Sequence, residues 1–304
     1  MTTQIEDIES LAQQVESHPD YRVLRRLKPR SEFSVKPVGK IARAVVVDTE
    51  TTGTDPAGDE IIELGMVVFE FDTATGFALR VVDTYDGLEQ PSRPIPPEVT
   101  QIHGITDAMV AGKRIDDARV TGLLKDVVLV VAHNAAFDRQ FLERRLPAFA
   151  DVPWGCSFKE IPWAIEGYGS AKLDYILNMR GYFHEAHRAE ADCLALLEVL
   201  QMPLQSMGIS AFSALMKSAQ AAGYRIWARN SPFDNKDRLK ARGYRWAAPE
   251  KCWYLDSSEA TLAADLSLLK IEGYNSKPAK VELEKLDATA RYSKRGGERV
   301  SKMI

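Results

Sequence analysis

Ala44-Val45-Val46-Val47-Asp48-Thr49-Glu50-Thr51-Thr52-Gly53 carries an apolar, β-branched run straight into two carboxylates one residue apart. The apolar residues predict a buried strand, and the acidic pair stands at its tip. Side chains at i and i+2 of a strand lie on one face, so Asp48 and Glu50 can converge on one ion. Buried charge costs free energy unless it is paired or holds a metal. An isolated Asp-x-Glu is equally compatible with a strand that ends in a polar turn, so the rest of the chain has to decide.

The chain has 304 residues, 45% apolar and 27% charged, the composition of an ordinary globular protein with room for two domains. No apolar run approaches the ~20 residues needed to span a bilayer. The start, Met1 to Asp7, is acidic and lacks the basic and apolar regions of a signal peptide. Cys156, Cys193 and Cys252 lie far apart without metal-type spacing, which predicts reduced thiols and a cytoplasmic protein. The net charge of −4 hides an asymmetry. Residues 40–205 hold 15 Lys/Arg against 26 Asp/Glu, whereas residues 223–254 hold 8 against 3 and residues 291–302 hold 5 against 1. A basic second half suits contact with a polyanion, or simply a solvated basic face.

Outward from the opening stretch, residues 4–16 read as a short amphipathic helix with Ile5, Ile8, Leu11, Ala12 and Val15 on one face. Residues 21–27 read as a strand or extended arm, and residues 29–40 as a linker, so residues 1–39 form an N-terminal helix and linker. Strands are predicted over 41–48, 61–71, 77–85 and 127–132, the middle two joined as a hairpin by Thr73–Gly76. Helices are predicted over 97–102, 106–110, 116–126, from Asn134 as cap to a stop at Pro147, over 173–179 and over 189–200. This alternation describes a mixed sheet with helices packed on it. A boundary at 203–209 separates a domain over 40–205 from a small basic α+β domain over 209–290. The latter holds helices at 209–222, 235–242 and 257–271 (Ser257 capping the last), a strand at 224–228, a hairpin of 244–247 with 252–255, and a last strand at 280–286. Residues 291–304 read as a mobile basic tail.

Two further acidic sites follow the opening pair. His133-Asn134-Ala135-Ala136-Phe137-Asp138 follows a buried strand, and His187-Arg188-Ala189-Glu190-Ala191-Asp192 opens a helix. Taken singly, Asp138 and Asp192 are also ordinary helix-face charges. In order, Asp-x-Glu, Asn-x-x-Phe-Asp and His-x-x-x-x-Asp resemble the DEDDh branch of the DnaQ-like 3′–5′ exonucleases. Thr51-Thr52-Gly53 and His103-Gly104-Ile105-Thr106 match that family as well. The resemblance covers about residues 40–202 and implies a ribonuclease-H-like fold, a mixed five-stranded sheet flanked by helices.

The resemblance also implies a mechanism. Two divalent cations, Mg²⁺ or Mn²⁺, about 3.5–4 Å apart clamp the attacking and leaving oxygens of a phosphodiester. Asp48 should bridge both, with Glu50, Asp138 and Asp192 completing the ligands, and His187 should be the general base. His184 competes for that role but lacks the five-residue offset from Asp192. A zinc pair of His184 and His187 finds no third ligand. Thr51, Thr52 and Gly53 are expected at the 3′-terminal sugar. By the resemblance Ile102, His103 and Ile105 are expected near the terminal nucleotides, with core packing as the alternative for the isoleucines and capping of a turn as the alternative for His103; Phe137 is expected to pack its helix and also to line the pocket. Glu63 stands either in the same pocket or on the other face, and is left outside the catalytic set. The expected partner is a nucleic acid with a free 3′ end, with a DNA polymerase or repair complex and a homodimer as open expectations and no membrane. In the second domain, Lys236 to Trp246 and Lys251 to Leu255 interleave cations with aromatics, a pattern suited to single strands; alternatively, Trp246 and Trp253 form a small core.

Overall fold

The apolar run 44–47 is fully buried in strand β1 (Ile41–Thr51), which continues through both carboxylates. In this computed structural model, which describes residues 8–304, β1 is the centre of a five-stranded sheet. β2 (Ile61–Asp72) pairs antiparallel with β1, and β3 (Ala78–Leu88) antiparallel with β2. On the other side β4 (Val127–Ala132) and then β5 (Trp154–Cys156) run parallel to β1. The order β3-β2-β1-β4-β5, with only β2 reversed, is the ribonuclease-H-like arrangement. β5 has only three residues and no periodicity, so sequence reading did not locate it.

Helices cover both faces. Ahead of the sheet lies α1 (Ile8–Glu16); α2 (Pro97–His103), α3 (Asp107–Val110) and α4 (Asp117–Leu123) cross from β3 to β4. α5 (Ala135–Arg145) follows β4, and α6 (Leu173–Met179), α7 (Ala189–Leu200) and α8 (Ala211–Gln220) follow β5. Val45 and Val47 pack with α4 and α5 on one face, whereas Ala44 and Val46 pack with α6, α7 and α8 on the other. Because both faces are covered, β2 is buried almost throughout, as suits a central strand.

Several expectations shift. Ile5 lies outside the described residues, and Ile8, Leu11 and Val15 of α1 are exposed instead of packed. α1 is tied down by charge: Arg25 bonds Glu9 and Glu16 at 2.7 and 3.1 Å. The expected linker is partly core, since Phe33 is buried and its N–H donates to Leu79 O on the β3 edge, while Val81 N–H donates to Ser31 O. Asn134 sits at the N-cap of α5, yet its side chain makes no capping bond. The break at 203–209 is a small antiparallel pairing of Pro203–Leu204 with Ile209–Ser210. α8 beyond it stays with the first core, where the Phe212 ring meets Phe69 and Phe71 at 5.2 and 4.8 Å.

The second sheet therefore begins at Gly223. It holds β6 (Gly223–Ala228), β7 (Arg245–Ala247), β8 (Cys252–Ser258), β9 (Lys280–Leu286) and β10 (Arg299–Met303), in the antiparallel order β7-β8-β6-β9-β10. Helices α9 (Lys236–Ala241) and α10 (Leu262–Leu268), with the turn that follows α10, cover one face through Leu239, Leu266 and Leu269. Ser257 belongs to β8; its hydroxyl reaches Asp265 at 2.6 Å instead of capping the helix. The basic tail is ordered by partners. Arg291 pairs with Glu160 at 3.2 Å, Tyr292 donates to Glu160 at 2.8 Å, and residues 299–303 pair with β9. Among the described residues no helix is long and apolar enough to cross a membrane.

Candidate metal centre and active site

β1 presents Asp48 and Glu50 on the face covered by α7, and α7 delivers Asp192 to them. Carboxylate oxygens of Asp48, Glu50 and Asp192 lie within 4.8 Å of one another. A glycine makes that approach possible. Gly65 pairs with Asp48 across the ladder, and a Cβ there would lie 2.3 Å from the Ala189 carbonyl carbon. Asp138 comes from α5 on the opposite side. Its Oδ1 accepts the Thr49 N–H at 3.1 Å and the Thr49 hydroxyl at 2.9 Å, so Oδ2 is the oxygen left for an ion. Asp138 is thus a close neighbour of the three-carboxylate group without belonging to its tightest part.

The electrostatics describe a site short of positive charge. Burial first, then the charges of Asp138, Asp192, Glu50 and Glu63, push the Asp48 carboxyl well above the ordinary carboxylate range. Burial and the same neighbours raise Glu50 to about 8, opposed by Arg188. Burial raises Asp138 to about 7 against the hydrogen bonds from Thr49. Clustered hard oxygen donors whose negative forms repel one another fit a divalent cation, with Asp48, Glu50, Asp192 and Asp138 Oδ2 as ligands.

Glu63 belongs to this neighbourhood, which corrects its reading as possibly facing away. It stands directly opposite Glu50 in the β1–β2 ladder, so both share a face. Fully buried, it accepts from Arg188 Nε and Nη2 at 3.0 and 2.8 Å and from Ala189 N at 3.0 Å. It thereby caps α7 and anchors the arginine that opposes the cluster. Strand alternation could not reveal this because β2 is buried on both faces; the pairing of Glu50 with Glu63 would have.

The histidines divide the space differently from expectation. His184, not His187, puts its side chain on Asp192: Nε2 lies 2.6 Å from Oδ1. His187 contributes its backbone N–H to Asp192 Oδ2 at 2.8 Å. Its side chain is exposed and its φ is +66°. His103 is buried; Nδ1 accepts from Ile105 N at 2.9 Å, Nε2 has no partner, and burial lowers its pKa.

Around the strand tip, Thr51 Oγ1 donates to Gly53 O at 2.6 Å and Thr52 Oγ1 accepts from Glu60 N at 3.0 Å, so both hydroxyls stitch the loop. At Gly53 a Cβ would lie 2.4 Å from the Asp59 carboxylate, so a larger residue there would displace that side chain. Ile102 is 60% exposed and free of the core, whereas Ile105 is fully buried. Phe137 is half-buried, its ring 4.9 Å from Phe141, and packs on the α5 side of the sheet.

In the second domain most arginines are already paired. Arg225 and Arg245 share Asp256, Arg229 and Arg299 share Glu250 and Glu282, and Arg242 holds Glu272. Trp246 is 51% exposed and Trp227 is buried, with Nε1 bonded to Glu284. A cleft of about 660 Å³ separates the domains, lined by Gln140 and Lys159 on one side and Arg225, Arg245 and Tyr254 on the other.

An exonuclease family model matches residues 45–200, half of the chain. The chain is 38% identical over 135 residues to a PolC-type DNA polymerase III of Thermotoga maritima, covering 43% of this chain and only 9% of that polymerase. It is 33% identical over 164 residues to the DNA polymerase III subunit epsilon of Treponema pallidum, covering 50% of this chain and 72% of that subunit. Among solved structures, exonuclease X in complex with 5′-overhanging duplex DNA aligns at 26% identity and a TM-score of 0.43, covering 58% of this chain and 99% of that one. With all of its DEDDh motifs on the matched segment, the chain belongs to the DnaQ-like 3′–5′ exonuclease family.

Proposed function

We propose that the protein is a metal-dependent 3′–5′ exonuclease that hydrolyses the terminal phosphodiester of DNA or RNA and releases nucleoside 5′-monophosphates. The observation that carries this reading is the convergence of the Asp48, Glu50 and Asp192 oxygens within 4.8 Å, with the Asp138 carboxylate beside them. When bound, two Mg²⁺ or Mn²⁺ ions would polarise the phosphate and lower the pKa of the attacking water. Asp48, Glu50, Asp192 and Asp138 would hold these ions, the first three through the oxygens that converge and Asp138 through the oxygen that Thr49 leaves free. His187, exposed beside the pocket, takes the proton as the water oxygen bonds to phosphorus and the 3′-oxygen departs. Thr51, Thr52 and Gly53 shape the seat of the terminal sugar through their backbone, since both hydroxyls are engaged. Ile102, His103 and Phe137 flank the terminal bases.

The basic C-terminal domain holds the rest of the strand. Arg225 and Arg245 share one carboxylate and lie 4.7 and 4.8 Å from the Tyr254 ring centroid, which leaves net positive charge facing the cleft. A second reading, favoured by the similarity to a polymerase III epsilon subunit, makes the protein a proofreading or repair subunit whose second domain meets a polymerase. A non-catalytic nucleic-acid binder is disfavoured, because four converging carboxylates would only repel phosphate.

The test uses end-labelled single-stranded DNA, duplex DNA and RNA in Mg²⁺ or Mn²⁺. Stepwise shortening from the 3′ end is expected, with mononucleotide product, abolished by Asp48→Ala and by His187→Ala in folded protein. Full activity in the Asp48 variant would overturn the reading. Co-elution with a polymerase would favour the subunit alternative.

A further inference from the structure

The segment 181–188 lies between α6 and α7, and it carries a histidine that the proposed chemistry does not use. Its beginning is held from outside the family-matched segment. Residues Arg25–Arg26 pair in parallel with Tyr182–Phe183; Arg25 N donates to Gly181 O at 2.8 Å and Leu27 N to Phe183 O at 2.7 Å. The Arg26 guanidinium sits 5.2 Å from the Phe183 ring centroid and also pairs with Glu185. The end of the segment is held by Asp192, which accepts from His184 Nε2, His187 N and Arg188 N at 2.6, 2.8 and 3.2 Å.

His184 is the side chain that links these two anchors. It is 6% exposed, and its Nδ1 faces Asp174 Oδ1 on α6 at 3.4 Å. A carboxylate only accepts, so the proton of the 2.6 Å contact resides on Nε2. With His184 on Oδ1 and two amides on Oδ2, the Asp192 carboxylate is held in one plane, with an oxygen within 4.8 Å of oxygens of Asp48 and Glu50. Groups that orient a ligand in this way govern metal affinity without touching the metal.

We propose that His184 is a positioning residue for the metal ligand Asp192, and that the N-terminal arm, through Arg25–Leu27, holds His184 in place. This rests on the two-cation reading above. Residues 25–27 then form the outer wall of the active-site segment rather than a tether.

The test titrates Mn²⁺ into the full chain by calorimetry, with thermal midpoints measured alongside. His184→Ala is expected to weaken Mn²⁺ binding about 10–100-fold with the midpoint little changed. His184→Gln, whose amide N–H can stand where Nε2–H stood, is expected to restore most of that affinity. Leu27→Pro, which removes the N–H that Phe183 O accepts, is expected to weaken Mn²⁺ binding in the same direction. Wild-type affinity in folded His184→Ala overturns the proposal, as does equal weakening in the Ala and Gln variants. Wild-type affinity in Leu27→Pro overturns the role of the arm. Asp48→Asn serves as control: if it loses Mn²⁺ while His184→Ala does not, this inference alone fails. If the wild-type chain binds no Mn²⁺, the two-cation reading fails and takes this inference with it.

Discussion

Asp48, Glu50 and Asp138 are all held where burial makes them harder to ionise, and neighbouring carboxylates add to that for Asp48 and Glu50. The pH dependence of the ion-free protein follows from that. Unfolded, these carboxyls lose their protons near pH 4. Folded, Asp138 titrates at about 7 and Glu50 at about 8, so over that window the folded chain binds more protons than the unfolded one. Stability is therefore fully present below the unfolded values and lost as pH rises through the folded ones. In EDTA the thermal midpoint is expected to fall between about pH 6 and about pH 8.5, and Mg²⁺ to raise it more at the higher pH, where its ligands would otherwise repel. A Mg²⁺ effect equal at both pH values, or none, would contradict this. The four acidic residues were legible in the sequence because their motifs stand at a strand end and at helix starts. The partners that aim them were not. Thr49, Glu63 and His184 act through register and loop path, and no local pattern distinguishes a buried glutamate opposite Glu50 from one facing away.

Among the elements, α7 matters most, because it brings Asp192, Arg188 and Ala189 to β1 and β2. Its approach depends on Gly65. Gly65→Ala would force the Ala189–Glu190 backbone outward, since the new Cβ would meet it at 2.3–2.5 Å. The expected result is a loss of about 1–3 kcal/mol in urea unfolding together with weaker Mn²⁺ binding. Unchanged metal affinity would show that α7 need not sit so close. Long apolar elements such as β4 and α7 were readable from their sequence, down to their ends. β5 was not, since three residues carry no period, and neither was β10, whose basic composition resembles a free tail. Its order comes from carboxylates and carbonyls supplied by distant parts of the chain.

Across the whole molecule, two sheets are tied by one strap. Residues 287–295 run along the first domain, where Ala288 O accepts from Trp154 N at 2.8 Å and the buried Arg139 donates to Ala288 O, Thr289 O and Arg291 O at 3.1, 2.6 and 2.7 Å. Arg139 directly follows Asp138, so the strap and a proposed metal ligand share one helical turn of α5. The composition change near residue 205 was legible, but the division of the core was not, because α8 looks the same whichever sheet it packs on. Phe212→Ala is expected to cost about 3–5 kcal/mol by chemical denaturation, as for a core phenylalanine of the first domain. A cost below about 1 kcal/mol would return α8 to the second domain.

Asp48, Glu50, Asp138 and Asp192 are expected to form a two-cation centre together. Anomalous diffraction from crystals grown with Mn²⁺ tests it most directly. Two peaks about 3.5–4 Å apart are expected, with Asp48 contacting both. A single peak away from Asp48, or none at saturating Mn²⁺, would contradict it.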